Sequence, residues 1–372
     1  MKIAFVLAVH LPDDDRVWYQ QAAALRKAGH EVAVVSAKTE HADSQNVYCF
    51  DNKKHFTTRK LTMTKFAEFL KQIQPDTIIC DNPVSILAAR EYKKESKKKS
   101  IKIYYDITEF YPSKIHLYYN SFFKNLLKYC LLYCVSIYVG FLVDGFIFGE
   151  YYKAKRYKKW FFWQRSVNLS YFASLEHVRK FPEKYIKQEC NIFYAGDLTL
   201  RAGYYDCLFS AIKCAKMFPK TKLALNIVTK SAMLECFFLT ELPPNLKVKI
   251  QKFLPFKEFC QTFGKSDIFL DLRAPDAENT RCLPIKLFYY MAAGRPVIYS
   301  DLNAIRREVP EIQEFGFLLN KKNTNKIAEK IACYINNPQL YTQHCTRAGE
   351  LAETKYNWAK IEKSFVEFIE NE

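Results

Sequence analysis

Short apolar runs alternate with amphipathic segments along most of this chain. Ile3–Val9 is a continuous apolar run after Met1 and Lys2, as expected of a parallel strand buried on both faces. Arg16–Lys27 follows with helical spacing: Val17, Ala24 and Leu25 recur on one face, and Gly29 stands where a helix C-terminus needs it. Val32–Val35 is the next strand, closing a βαβ unit. The same reading gives helix over Lys65–Ile73, strand over Thr77–Cys80, helix over Ser85–Lys93 and strand over Ile101–Tyr105. A second series starts at Asn191. Strands are expected at Ile192–Ala195, Leu223–Val228, Val248–Ile250, Ile268–Leu272 and Val297–Ser300. Helices are expected at Tyr204–Met217, Pro284–Ala293, Asn323–Asn336, Pro338–Thr354 and Trp358–Ile369. Strands alternating with helices, twice over, predict two parallel-sheet α/β domains. The 372 residues exceed what one core usually holds, which agrees with that division.

Residues 115–165 break the alternation. Tyr129–Val143 carries no charge, yet is shorter than the ~20 apolar residues a membrane span needs. Lys124 and Lys128 precede it, and the aromatic-basic stretch Lys158-Lys159-Trp160-Phe161-Phe162-Trp163 follows. Two readings stand side by side: a buried core helix, or a helix in a lipid headgroup zone, where Trp, Tyr and Lys are favoured.

Charge sharpens that choice. The net charge is +17, and residues 1–190 hold 31 of the 56 Lys and Arg against 19 of the 39 Asp and Glu. Such a field draws anionic lipid, nucleic acid or phosphorylated substrates. No nucleic-acid-binding motif accompanies it, so no nucleic-acid partner is expected. The twelve Cys form no CxxC pair and sit mostly in apolar runs, as buried thiols of a reducing compartment do. Glycine is scarce, at 10 residues, and neither GxxxxGK[ST] nor GxGxxG occurs. That excludes a P-loop NTPase and a dinucleotide dehydrogenase.

Several segments, taken in order, resemble a known family. Asp14-Asp15-Arg16-Val17 with Ala28-Gly29-His30-Glu31-Val32 is similar to "D-x-R-V … G-H-E-V". Pro75-Asp76 through Asp81-Asn82-Pro83 is similar to "P-D-x-I-x-x-H-D-P", and Tyr105-Asp106-Ile107-Thr108-Glu109 to "Y-D-x-H-E". Tyr194-Ala195-Gly196-Asp197-Leu198-Thr199 to Gly203 resembles "Y-x-G-x-L-T-x-x-K-G". Leu283–Ile298 resembles "P-N-K-L-F-E-Y-M-A-A-G-L-P-V-I", and Tyr356-Asn357-Trp358 resembles the "Y-x-W" before a last helix. Together they resemble the GT4-type retaining glycosyltransferases of the GT-B fold.

The resemblance implies two Rossmann-like domains facing a cleft: residues 1–185 on the acceptor side, 186–355 on the nucleotide-sugar side, and 356–372 as a helix crossing back. It implies transfer of a sugar from a nucleoside-diphosphate donor to a glycan or lipid-linked glycan. Bacterial surface-polysaccharide synthesis on the cytoplasmic face of the membrane is the implied setting, with no cofactor and no metal. His10, Asp106 and Glu109 become the expected catalytic groups, and Asp14 and Arg16 the acceptor ligands. The expected donor ligands are Gly196, Arg201, Lys230, Glu278, Asn279, Lys286 and Tyr289.

The chain departs from the pattern at the donor site. Asp197 stands for the family's Arg, Ala202 for its Lys, and Tyr289 for its Glu. Arg281 stands for a second acid, Thr108 for the His of "D-x-H-E", and Val228-Thr229-Lys230 for a Gly-rich turn. Arg201, Lys230, Arg281 and Lys286 are donors able to rebuild a phosphate-binding cluster. Each residue also has a plain structural reading: His10 as a fixed loop residue, Asp14 and Arg16 as cap or ion pair, Asp106 or Glu109 as a cap, and Tyr289 as packing. A catalytically silent protein of this fold, binding glycan or partnering an active transferase, is the alternative function.

Overall fold

β1 (Lys2–Leu7) shows why the apolar runs become inner strands. Ile3 to Leu7 are all buried, on both faces of the sheet. The computed structural model describes residues 1–39, 45–51, 59–98, 100–113, 116–178, 180–182, 186, 188–230, 241–319 and 323–371. These divide into two units, Met1–Ser170 with Ile361–Glu372, and Tyr171–Lys360.

In the first unit a π-helical segment, Val17–Ala22, runs into α1 (Ala23–Lys27), and β2 (Glu31–Ser36) and β3 (Val47–Cys49) follow. Then come α2 (Arg59–Ile73), β4 (Thr77–Cys80), α3 (Pro83–Glu95), β5 (Lys102–Ile107), α4 (Phe122–Gly140), β6 (Gly145–Phe148), α5 (Tyr151–Lys158) and β7 (Arg165–Asn168). The start of α3 is dictated locally. Asn82 accepts from the Val84 N–H, the Ser85 hydroxyl accepts from the Asn82 N–H, and Pro83 occupies the first turn. Among the described residues the strands form one parallel sheet, β3-β2-β1-β4-β5-β6-β7. The chain winds outward from β1 to β3, then restarts beside β1 with β4. The ends of β1 and β4 therefore flank a topological switch point.

The second unit repeats the scheme. It contains β8 (Glu189–Ala195), α6 (Tyr204–Met217), β9 (Lys222–Thr229), β10 (Leu246–Lys252), α7 (Phe256–Thr262), β11 (Ile268–Asp271) and α8 (Ile285–Ala292). β12 (Val297–Ser300), α9 (Asn303–Glu308), β13 (Gly316–Leu319), α10 (Thr324–Asn336) and α11 (Pro338–Thr354) complete it, and α12 (Glu362–Glu370) lies in the first unit. Its described strands are parallel in the order β10-β9-β8-β11-β12-β13, with the switch point between β8 and β11. Each sheet has its own core. One contains Val6, Ile78, Ile103 and Phe146; the other contains Ile192, Leu225, Leu270 and Ile298.

The structure adds β3, β6, α5, β7, α7, α9 and β13, which the pattern does not announce. β7 (Arg-Ser-Val-Asn) is a short edge strand with no fully buried residue, so no burial period marks it. The domain limits also differ from the expected ones. The boundary read at residue 185 falls outside the described residues, and the division lies at Tyr171. Phe172 stacks edge-on against Phe288 and Tyr356, and Arg295 donates to the Phe181 and Pro182 carbonyls, which fixes this segment to the second unit. The return to the first unit starts at Ile361, not at 356. Tyr356 stays behind, donating its hydroxyl to Glu311 at 2.6 Å, while α12 packs Phe368 on Tyr104 and pairs Glu370 with His30.

The reading of Tyr129–Val143 as a buried core segment does not hold. It is mostly one part of α4, in which only Leu132, Ser136, Val139 and Gly140 are buried. By length and composition α4 is long and apolar enough to cross a membrane.

Candidate functional site

A pocket in the second unit lies at its switch point. β8 ends at Ala195-Gly196 and β11 at Asp271-Leu272-Arg273, and between them opens a pocket of about 260 Å³. Gly203, at the start of α6, has φ +83°, and a Cβ there would lie 2.1 Å from the Leu272 carbonyl oxygen. Only glycine lets the Gly196–Gly203 loop pass so close to the end of β11. Tyr194 holds the same loop from below, its hydroxyl donating to the Asp197 carbonyl at 2.7 Å.

Two cations line this pocket on rigid supports. Arg273 grips Asp271 with both arms, Nε to Oδ1 at 2.8 Å and Nη2 to Oδ2 at 2.5 Å. Burial disfavours the Arg273 charge, but Asp271 outweighs burial and pushes its pKa above the ordinary value. Asp271 answers in kind: burial raises its pKa, Arg273 and Lys286 lower it, and the net direction is down. Lys286, in the first turn of α8, donates to the Ala195 carbonyl and has its Nζ 3.9 Å from Asp271. Burial draws its pKa below the usual lysine value, with Asp271 opposing. Two cations thus sit around one buried carboxylate at a strand end, with Asp197 also lining the pocket.

Of the expected donor ligands, Gly196, Arg201, Asn279 and Lys286 line the pocket. Arg201 sits at the rim with its guanidinium already occupied, by Asp276 at 2.7 Å and Glu278 at 2.7 Å. Burial works against the Asp276 charge, but Arg201 and the Asn279 and Glu278 N–H groups prevail and pull it down to about 2. Glu278 therefore faces Arg201, and Asn279 donates to the Ala274 carbonyl. Lys230 and Tyr289 are not brought in. Lys230 is exposed beyond the end of β9, over the Phe253 ring at 4.2 Å, and Tyr289 is buried against Phe256. Arg281 is exposed and does not line the pocket either. The four-cation cluster thus reduces to Lys286 and Arg201, joined by Arg273. Asp271 and Arg273 went unread in the sequence, although an acid and an Arg two residues apart at a strand end was a usable signal.

The first unit has its own constellation at the β1/β4 switch point. Asp81 accepts from the Ala8 and Val9 N–H groups at 2.9 and 3.2 Å and fixes the loop after β1. His10 then bonds Asp14 through Nδ1 and Thr108 through Nε2, each at 3.0 Å. Burial opposes protonation of His10, yet Asp14, Asp81 and Glu109 prevail and raise its pKa to about 9. Asp14 also accepts from the N–H groups of Arg16 and Val17, at 3.1 and 3.2 Å. His10 is thus held at both ring nitrogens, beside carboxylates that favour its protonated form.

Arg16 and Asp106 meet each other. They form a bidentate pair, both contacts at 3.1 Å, and each residue is only 3% exposed. Leu169 O accepts a further Arg16 bond at 2.7 Å, and Gln21 donates to Asp106 at 2.6 Å. This pair ties the helix after β1 to the end of β5. Glu109 is exposed in the following loop. The buried Glu150–Lys153 pair, 2.8 Å apart with Lys153 also donating to the Thr108 carbonyl, was not foreseen. Among the described residues no group of three His, Cys, Asp or Glu is placed to hold a metal.

Residues 3–136 match the family described as glycosyl transferase 4-like. Among curated proteins none is significantly similar in sequence. Solved structures resemble the whole chain. WaaG, a glycosyltransferase involved in lipopolysaccharide biosynthesis, has a TM-score of 0.72 at 13% identity, covering 100% of both chains. The Anabaena protein HepE, solved with UDP-glucose, has a TM-score of 0.71 at 14% identity, covering 99% of this chain and 98% of that one. A sucrose-phosphate synthase from Thermosynechococcus elongatus has a TM-score of 0.69 at 13% identity, covering 98% and 96%. At such identities the shared property is the fold, which is GT-B: two Rossmann-like parallel-sheet domains.

Proposed function

We propose that this GT-B chain, with a glycosyl transferase 4-like first unit, moves a sugar from a nucleoside diphosphate to a glycan or lipid-linked glycan. The observation that carries this reading is the second unit's pocket, where Arg273 and Lys286 converge at a strand-end switch point. Ligands of open α/β sheets bind at such points, and a leaving diphosphate needs preorganised positive charge. Arg273 is held in place by Asp271 before any ligand arrives, so little reorganisation is needed when charge develops on the phosphate.

Transfer with retention suits this site. The bond from the sugar's anomeric carbon to the phosphate oxygen breaks as the acceptor oxygen bonds from the same face. The acceptor's hydroxyl proton passes to a phosphate oxygen of the departing diphosphate. Arg273 and Lys286 stabilise that diphosphate, and the reaction as proposed draws on no metal or cofactor. The protein works on the cytoplasmic face of the membrane, in surface-polysaccharide synthesis.

Because HepE was solved with UDP-glucose, that is the first donor to test. Calorimetry with UDP, UDP-sugars and GDP-sugars measures binding. A charge-assisted bond is worth ~1.5–3 kcal/mol, so Arg273→Ala and Lys286→Ala should each weaken the bound nucleotide roughly tenfold to a hundredfold. Unchanged affinity in both variants sinks the assignment.

One observation favours a second reading, a protein that binds donor or glycan without turnover. In the first unit His10 has both ring nitrogens engaged, and Asp106 is neutralised by Arg16. Tight donor binding with neither transfer nor hydrolysis across an acceptor panel would favour it.

A further inference from the structure

α4 carries its apolar face on the wrong side for a soluble helix. At 100° per residue, Leu132, Ser136 and Val139 fall on one stripe, and these are buried, as is Val143 just past the helix end. Val139 and Val143 join the first unit's core, and the Ser136 and Tyr157 hydroxyls are 2.9 Å apart. Opposite them lie Phe123, Leu127, Leu131, Tyr138 and Phe141, all exposed, with Phe123 at 79%. A soluble helix puts charge there. This one has no charge from Tyr129 to Gly140.

The patch continues past the helix. Phe141 packs edge-on against Phe161, whose ring abuts Gly140, and Phe162 and Trp163 extend outward from there. Phe162 is 80% exposed. Trp160 donates to the Tyr133 hydroxyl at 2.8 Å, which fixes the end of α5 to α4. Apart from the buried Lys153, the basic residues of α4, α5 and the position that follows are Lys124, Lys128, Lys155, Arg156, Lys158 and Lys159, with Arg156 over the Tyr133 ring at 4.9 Å. Asp144 is the only exposed acid between Tyr111 and Phe172. A contiguous apolar surface rimmed by base and aromatic side chains is what a bilayer interface selects.

We propose that α4, with the Trp160–Trp163 segment, is a monotopic docking surface for anionic phospholipid. The helix lies in the membrane plane and inserts its Phe123–Phe141 face among the acyl chains. It does not span the bilayer, because its opposite stripe is fastened to the protein core and Lys124 and Lys128 occupy its first turns. Charge complementarity selects the occupant: the rim is basic, so the surface wants negative headgroups. This deepens the placement at the inner membrane face proposed with the transferase reading, and it brings the first unit to where a lipid-linked acceptor resides.

The test is flotation of the full chain with vesicles of phosphatidylcholine alone and of phosphatidylcholine with phosphatidylglycerol. The chain should float with the anionic vesicles, and brominated lipid should quench its tryptophan emission. Leu127→Glu/Leu131→Glu should lose at least about tenfold in partitioning, since both charges would enter hydrocarbon. Lys158→Ala/Lys159→Ala should lose roughly 25-fold on anionic vesicles, about fivefold per lysine. Failure to float with either vesicle, or equal flotation of the wild type and both variants, overturns the proposal. A dimer in solution that Leu127→Glu/Leu131→Glu dissociates, with no flotation, would assign the face to a second copy and also overturn it. Nucleotide binding, measured without vesicles on the same proteins, keeps this outcome separate from the fate of the donor pocket.

Discussion

Removing the Asp106 carboxylate tests whether the first unit's acidic motif is structural or catalytic. In Asp106→Ala the Arg16 guanidinium loses both of its bonds to the Asp106 carboxylate, while its bond to the Leu169 carbonyl stays. Arg16 is 3% exposed, so water does not replace the lost partner. Breaking a buried ion pair on one side costs ~3–5 kcal/mol, because the remaining charge is stranded. Gln21 loses its acceptor as well, which places the cost toward the upper end. For a unit of this size that is a fall in Tm of roughly 6–20 °C, at ~2–4 °C per kcal/mol. Arg16→Met/Asp106→Leu should recover most of the loss, because two apolar side chains leave no charge stranded. Urea unfolding followed by tryptophan emission is suited to this. Of the chain's four tryptophans, Trp18, Trp160 and Trp163 lie in the first unit. Nucleotide affinity of the folded single variant should equal that of the wild type. A cost below about 1 kcal/mol for Asp106→Ala would show that Arg16 reaches water, and would refute the structural assignment. A full-strength acceptor defect in a stable double variant would restore the catalytic one.

Two further outcomes follow from geometry. His10 has a folded pKa raised to about 9 from an ordinary 6.5, so its stabilising contribution is complete below about pH 6.5 and is lost as pH rises through 9. That amounts to about 3 kcal/mol at most; the slope of unfolding free energy over pH 6.5–9 should flatten in His10→Gln, and an unaltered slope would remove His10 as its source. Gly203→Ala places a methyl group against the Leu272 carbonyl at a positive φ, so it should cost at least ~2 kcal/mol. Since Leu272 adjoins Asp271 and Arg273, nucleotide affinity should fall too; a stable variant with unchanged binding would show that the loop yields without disturbing β11.

Much of this protein was legible along the chain. Buried strand stretches such as Ile3–Leu7 and Ile268–Leu270 are apolar at every position, and helices such as α6 and α8 show their period, so both α/β units could be read. Gly29, Gly203 and Gly294 mark left-handed turns that glycine favours, and all three have positive φ. Motif order gave the switch-point loops and with them Gly196, Arg201, Asn279 and Lys286.

What the chain withheld depends on contacts between residues far apart in sequence. Arg16 and Asp106 are 90 residues apart, and only their meeting turns two polar motif residues into a buried pair. Tyr289 occupies a polar residue's place in the motif, yet packing against Phe256 decides its role. Arg273 lines the pocket because β8 and β11 are neighbours in the sheet. The face of α4 is the sharpest case: an apolar helix reads alike in a core and at an interface. Periodicity reports which positions share a face, while only the packed fold determines which face is covered.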